Sequence, residues 1–183
     1  VGGANMIDKI SCDKKYGCDL NEYLIELLKY SAENELPETI TEEEYCRVKS
    51  NREEYDKWYV GLVGFCGSYG AMFFSTYARV NDNRDRQSEA IRNIKKQASN
   101  LKGIIFKHCS FQDINTNISD YVIYCDTPYR GTTKYKTEEF PYEEYYDWCR
   151  KMAQNNIVLC SEYWMPDDFE CICPYCNLKS VER

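Results

Sequence analysis

The chain has 183 residues, with 23 Lys+Arg against 30 Asp+Glu, a net charge of −7 and 11 cysteines. That length suits one domain with room for an insert, and 43% apolar with 15% aromatic residues excludes a disordered chain. No apolar run approaches the length of a membrane span. Val1-Gly2-Gly3-Ala4-Asn5 has no signal-peptide character. With an odd count and no export signal, the cysteines read as reduced thiols, and the expected compartment is the cytoplasm. The chain opens inside a glycine turn and stops after Ser180-Val181-Glu182-Arg183, so it reads as part of a longer protein.

In chain order, a short helix is expected over residues 5–10 and a strand over Tyr16–Asp19. A helix follows over 21–31, with Leu20, Leu24, Leu27 and Leu28 on one face. Thr41-Glu42-Glu43-Glu44 is a capping-box sequence, and it predicts a helix running to about Trp58. From Glu33 to Asp56 nine acids face three bases, which fits a solvated helical surface. Gly61, Gly64, Gly67 and Gly70 lie among apolar residues and predict a buried, turn-rich segment. Ser88 is placed to cap a helix over 88–101. Strands are expected over 104–106 and 121–124, a helix from Pro141 to about Ala153, and a strand over Ile157–Cys160. Strands alternate with helices at the front and back of the chain. The pattern predicts an α/β sheet domain, residues 1–37 and 101–183, interrupted by a helical insert over 38–100.

The strongest chemical signal is Tyr121-Val122-Ile123-Tyr124-Cys125-Asp126-Thr127-Pro128-Tyr129. An apolar strand ends in an acid, a rigid turn and an aromatic ring. Ligands of open α/β sheets sit at the carboxyl ends of strands. A carboxylate there can accept from an amino group, a backbone carbonyl can accept a second time, and the ring can stack on a flat base. A strand end with a locally packed Tyr129 explains the same residues about as well.

Asp126-Thr127-Pro128-Tyr129 resembles the Asp-Pro-Pro-Tyr motif of the DNA adenine-N6 methyltransferase family, in its phage and bacterial members. Gly2-Gly3-Ala4-Asn5 resembles the end of that family's cofactor loop, and Asp19-Leu20-Asn21 resembles its acidic second motif. Gly64-Phe65-Cys66-Gly67-Ser68-Tyr69-Gly70 resembles a turn in the DNA-recognition insert. Ser161-Glu162-Tyr163, with Pro166-Asp167-Asp168-Phe169, resembles the segment after a later strand. The segments occur in the family's order over nearly the whole chain.

The resemblance implies a class I, Rossmann-like fold that binds S-adenosylmethionine and methylates adenine N6 in double-stranded DNA after the base is flipped out. It implies that Gly2 and Gly3 let the backbone approach the cofactor, that Asp19 accepts from the ribose hydroxyls, and that Asp113 lies near the cofactor adenine. Residue pattern alone makes Asp19 a helix cap and Asp113 an exposed loop acid. Asp126 and the Thr127 carbonyl would hold the amino group, Pro128 would stiffen the turn, and Tyr129 would stack on the base. Such chemistry needs positioning and preorganised acceptors and no metal. Thr127 departs from the family's proline; it keeps the carbonyl and loses the fixed backbone angle. The family's RNA- and protein-methylating relatives typically begin the tetrapeptide with Asn, so Asp126 favours DNA. A non-catalytic DNA-binding remnant is the other alternative.

The acidic total hides a basic stretch. From Arg79 to Lys107 eight bases face three acids, net +5, which leaves −12 elsewhere. Arg79, Arg84 and Arg86 are the candidate DNA contacts; Lys95, Lys96 and Lys102 fit a solvated helix face. Cys171, Cys173 and Cys176 are one ligand short of a zinc site, and His108 is distant in sequence. Cys125 reads as sheet core rather than nucleophile.

Overall fold

The computed structural model describes residues 1–79, 85–130 and 140–173, in two compact units, Val1–Ile114 and Asn115–Arg183. In the first unit, β1 (Tyr16–Asp19) pairs in parallel with β2 (Ile105–His108), Tyr16 opposite Ile105 and Asp19 opposite His108. Parallel neighbours need a long crossover. Here it consists of α1 (Glu22–Glu33), α2 (Glu42–Ser50), α3 (Lys57–Cys66) and α4 (Arg86–Leu101).

α1 starts where Asn21 accepts the Leu24 N–H at 3.0 Å, satisfying one of the first-turn donors. Its apolar residues divide between two cores. Leu24, Ile25, Leu28 and Ala32 pack with Leu101, Ile104 and Phe106 beside the sheet. Leu27 joins the helical core of Tyr45, Val48, Val60, Leu62, Val63, Phe74 and Ile91. Each fully buried Leu or Ile side chain contributes about 1.5–3 kcal/mol, so α1 couples the sheet to the insert. Leu20, expected on this apolar face, stays outside the helix and is 67% exposed.

The capping box forms as predicted: Thr41 Oγ1 accepts from the Glu44 N–H, and Glu44 Oε2 accepts from the Thr41 N–H, both at 3.2 Å. The helix does not run on to Trp58. α2 ends at Ser50, where the Asn51 N–H turns back onto the Arg47 and Val48 carbonyls, and a short 3-10 turn, Arg52–Glu54, leads into α3. The polar Asn51-Arg52-Glu53-Glu54 run offers no apolar stripe to continue α2 against the core.

The glycine-rich segment is also different from expectation. Gly61 and Gly64 lie inside α3 and are buried. A Cβ at Gly61 would stand 2.2 Å from the Tyr23 carbonyl of α1. Gly61 therefore serves a close approach of two helices, not a turn. α4 begins earlier than predicted because Asp85, not Ser88, is its cap; Asp85 accepts both the Ser88 N–H (3.0 Å) and the Ser88 hydroxyl (2.6 Å).

In the second unit, β3 (Val122–Cys125) and β4 (Ile157–Cys160) are parallel, Val122 opposite Ile157 and Cys125 opposite Cys160. α5 (Tyr142–Met152) connects them and buries Tyr145, Tyr146, Trp148, Cys149 and Met152. Pro141 precedes its first turn, where no N–H is needed. The 3-10 turn Ile7–Lys9 is all that forms of the helix expected over 5–10. Among the described residues no helix is long and apolar enough to cross a membrane.

Candidate active site

Each unit places an aspartate where a parallel strand ends. In the first unit that residue is Asp19, and its oxygens are heavily used. Oδ2 accepts from the Gly2 N–H at 3.0 Å and from the Val1 nitrogen at 3.2 Å, while Oδ1 accepts from the Asn21 N–H at 2.9 Å. The carboxylate thus ties the glycine loop to the strand end and to the start of α1. It is not the helix cap; Asn21 is. A carboxylate offers about four acceptor positions. Three are taken, so Oδ1 keeps one, on a side chain that is 22% exposed.

Gly2 has φ of +49°, a region that disfavours side chains, and a Cβ there would meet open space. Gly3 is exposed beside it, with the Asn5 amide nitrogen 3.1 Å from its Cβ position. The site thus combines an open backbone turn, a partly free carboxylate oxygen and the carboxyl end of a parallel pair. A depression of about 260 Å³ at the start of α1 is lined by Leu20, Asn21, Glu22, Tyr23, Phe73 and His108, and not by Gly2, Gly3 or Asp19. His108 Nε2 lies 3.0 Å from the Leu20 carbonyl oxygen. Next to Asp19, burial and then a hydrogen bond with Cys109 push the Cys18 thiol up to about 11, which keeps it neutral. Asp113 is exposed and closes the turn after β2 by accepting the Ser110 N–H at 2.8 Å.

The second unit treats its aspartate differently. Asp126 follows β3 directly, is exposed, and among the described residues nothing hydrogen-bonds to its carboxylate. The residues after it are braced. The Ser161 N–H donates to the Cys125 carbonyl at 2.9 Å, joining the two strand ends. Tyr129 Oη and Ser161 Oγ are 2.8 Å apart, and the Tyr129 ring meets Tyr163 edge-on at 4.9 Å. The Arg130 N–H donates to Glu162 at 3.0 Å. The Tyr142 hydroxyl donates to the Pro128 carbonyl at 3.0 Å, while among the described residues nothing donates to the Thr127 carbonyl. The turn is held from α5 and from the loop after β4, and its two candidate acceptors stay open.

Ser161, Glu162 and Tyr142 carry this bracing, and the sequence reading gave them no role. A signal existed for Ser161 and Glu162: they follow β4 as Asp126 follows β3, and neighbouring parallel strands end together. Tyr142 had none, because its contact depends on how α5 packs.

The candidate DNA contacts divide. Arg79 pairs through Nε (3.1 Å) and a terminal nitrogen with Glu42 of α2. Lys95 lies 3.9 Å from Glu38. The acidic and basic stretches of the insert thus partly face one another; such exposed pairs are worth about 0–1 kcal/mol each and are easily exchanged. Arg86 lies over the Tyr69 ring at 5.0 Å, joining the base of α4 to the turn after α3. Arg84 lies outside the described residues, as does Cys176.

The family model of D12 class N6 adenine-specific DNA methyltransferases matches residues 1–157. The chain belongs to that family and is a DNA adenine methyltransferase by descent of its sequence. No curated protein matches it.

Proposed function

We propose that the chain transfers a methyl group from S-adenosylmethionine to adenine N6 in duplex DNA, on a base turned out of the helix. The observation that carries this reading is the open Asp126 carboxylate at the end of β3, inside Asp-Thr-Pro-Tyr, in a chain of this family. Residues 1–37 and 101–183 form the catalytic part, of Rossmann-like class, and 38–100 form the target-recognition insert.

S-adenosylmethionine, when bound, supplies a methyl group activated by its sulfonium. Gly2 and Gly3 would let it approach the backbone, the remaining Oδ1 position of Asp19 would accept from a ribose hydroxyl, and Asp113 would accept from its adenine amino group. The adenine amino nitrogen is a weak nucleophile, because its lone pair is delocalised into the ring. Asp126 and the Thr127 carbonyl would accept its two N–H groups and so fix the direction of its lone pair. Pro128 limits the turn, and Tyr129, fixed through Ser161, stacks on the base. Alignment of this kind, with preorganised acceptors, supplies most of the acceleration. Arg79, Arg84 and Arg86 contact the DNA, with Arg79 exchanging Glu42 for phosphate.

The test is incubation of the full chain with S-adenosylmethionine and unmethylated duplex DNA, followed by mass spectrometry of the nucleosides. N6-methyladenine is expected. DNA binding without that product, from protein shown to bind S-adenosylmethionine, would identify a non-catalytic remnant and overturn the reading.

A further inference from the structure

Beneath the Asp126 turn the second unit gathers three thiols from three elements. Cys125 and Cys160 are register partners on β3 and β4, so their side chains leave the pair on one face. Cys149 comes from α5 and is fully buried. The three sulfurs lie within 4.8 Å of one another, and those of Cys149 and Cys160 are 3.8 Å apart. Tyr145, one helical turn before Cys149, brings its hydroxyl to 3.2 Å from the Cys160 sulfur.

That spacing is far beyond a disulfide bond. The 3.8 Å between the Cys149 and Cys160 sulfurs matches the edge of a tetrahedron built on zinc–sulfur bonds of about 2.3 Å, which is about 3.8 Å. Soft thiolate donors select thiophilic cations.

We propose that Cys125, Cys149 and Cys160 form a binding site for one Zn²⁺ ion, with three sulfur ligands and the fourth position taken by water or the Tyr145 hydroxyl. Each thiol gives its proton to solvent and a lone pair to the cation; nothing is oxidised or reduced. The ion ties α5 to both strand ends. Cys125 immediately precedes Asp126, and Cys160 immediately precedes Ser161, which holds Tyr129. Its role is structural, since methyl transfer calls for no metal. The site does not depend on the proposed methyl transfer, and its test reads metal rather than activity.

Zinc per chain is measured by plasma mass spectrometry on the full chain after dialysis against Zn²⁺ and then metal-free buffer. Three forms are compared: the natural sequence, Cys149→Ser, and a triple variant with Cys171→Ser, Cys173→Ser and Cys176→Ser. The site predicts one zinc in the triple variant and its loss in Cys149→Ser. Because Cys149→Ser replaces a buried group, X-ray absorption on the triple variant gives an independent reading: three sulfur neighbours at about 2.3 Å. Zinc absent from the triple variant, or bound there by fewer than three sulfurs, overturns the proposal.

Discussion

Asp19 and Asp126 both follow a short parallel strand, yet they are used in opposite ways. Asp19 takes three N–H groups, from Val1, Gly2 and Asn21, and so holds a loop in place with one acceptor position to spare. Asp126 takes none among the described residues, while its neighbours are fixed by Ser161, Glu162 and Tyr142. A carboxylate that shapes a binding loop must spend its lone pairs on the backbone. One that grips a reacting group must keep them, and its position has to be secured by other residues. The structural cost of removing each side chain and its functional cost should therefore separate.

The largest separation is expected at Asp126. Asp126→Ala should lower the methyl-transfer rate by about 10²–10³-fold, as for loss of one preorganised hydrogen-bond partner, with a thermal unfolding midpoint close to that of the natural sequence. Retained transfer would remove Asp126 from the site. Asp19→Ala should show the mixed pattern. Binding of S-adenosylmethionine, read by calorimetry, should weaken about tenfold, or about 1.4 kcal/mol. Stability should fall by about 1 kcal/mol as the Gly2 and Asn21 N–H groups lose their acceptor. An Asp19→Ala protein that binds normally and is only destabilised would make this carboxylate purely structural.

Thr127→Pro probes the bracing itself. If the turn loses rigidity where the family has proline, restoring it gains about 0.4–1 kcal/mol, the usual value for a compatible proline. Turnover should rise about two- to fivefold; unchanged turnover would show that Tyr142 and Ser161 already hold the turn.

The smallest effect concerns Asp85, a third carboxylate and a purely structural one. Its hydrogen bonds from the Ser88 hydroxyl and N–H hold its pKa below the ordinary aspartate value. A lowered folded pKa gives stability that is present above the unfolded value of about 3.9 and is lost as pH falls through the folded one. Acid titration should therefore fray the start of α4 below about pH 4, followed by amide exchange. Asp85→Asn, which keeps a cap acceptor, should flatten that dependence.

Much of this organisation was legible in local chemistry. The Thr41–Glu44 capping box, the strand Tyr16–Asp19, the strand Ile157–Cys160 and the helix after Pro141 all rest on signals within a few residues of one another. The motif after β3 was legible for the same reason, being a continuous run. Legibility failed where a residue type answers to a distant partner. Gly61 suggested a turn, but its missing side chain answers to the Tyr23 carbonyl of another helix. Arg79 suggested a free cation, but it faces Glu42 across 37 positions of sequence.

The sequence by itself determined the family, the acid-turn-aromatic motif and the order of the four strands, because periodicity, capping and motif residues are properties of neighbours along the chain. The tertiary structure decided which lone pairs are spent and which are kept. It closed Asp19 on Gly2 and Asn21, left Asp126 open, and brought the sulfurs of Cys125, Cys149 and Cys160 within 4.8 Å of one another. Those outcomes depend on parallel strands aligning their carboxyl ends and on α5 packing across them, which no spacing along the chain encodes.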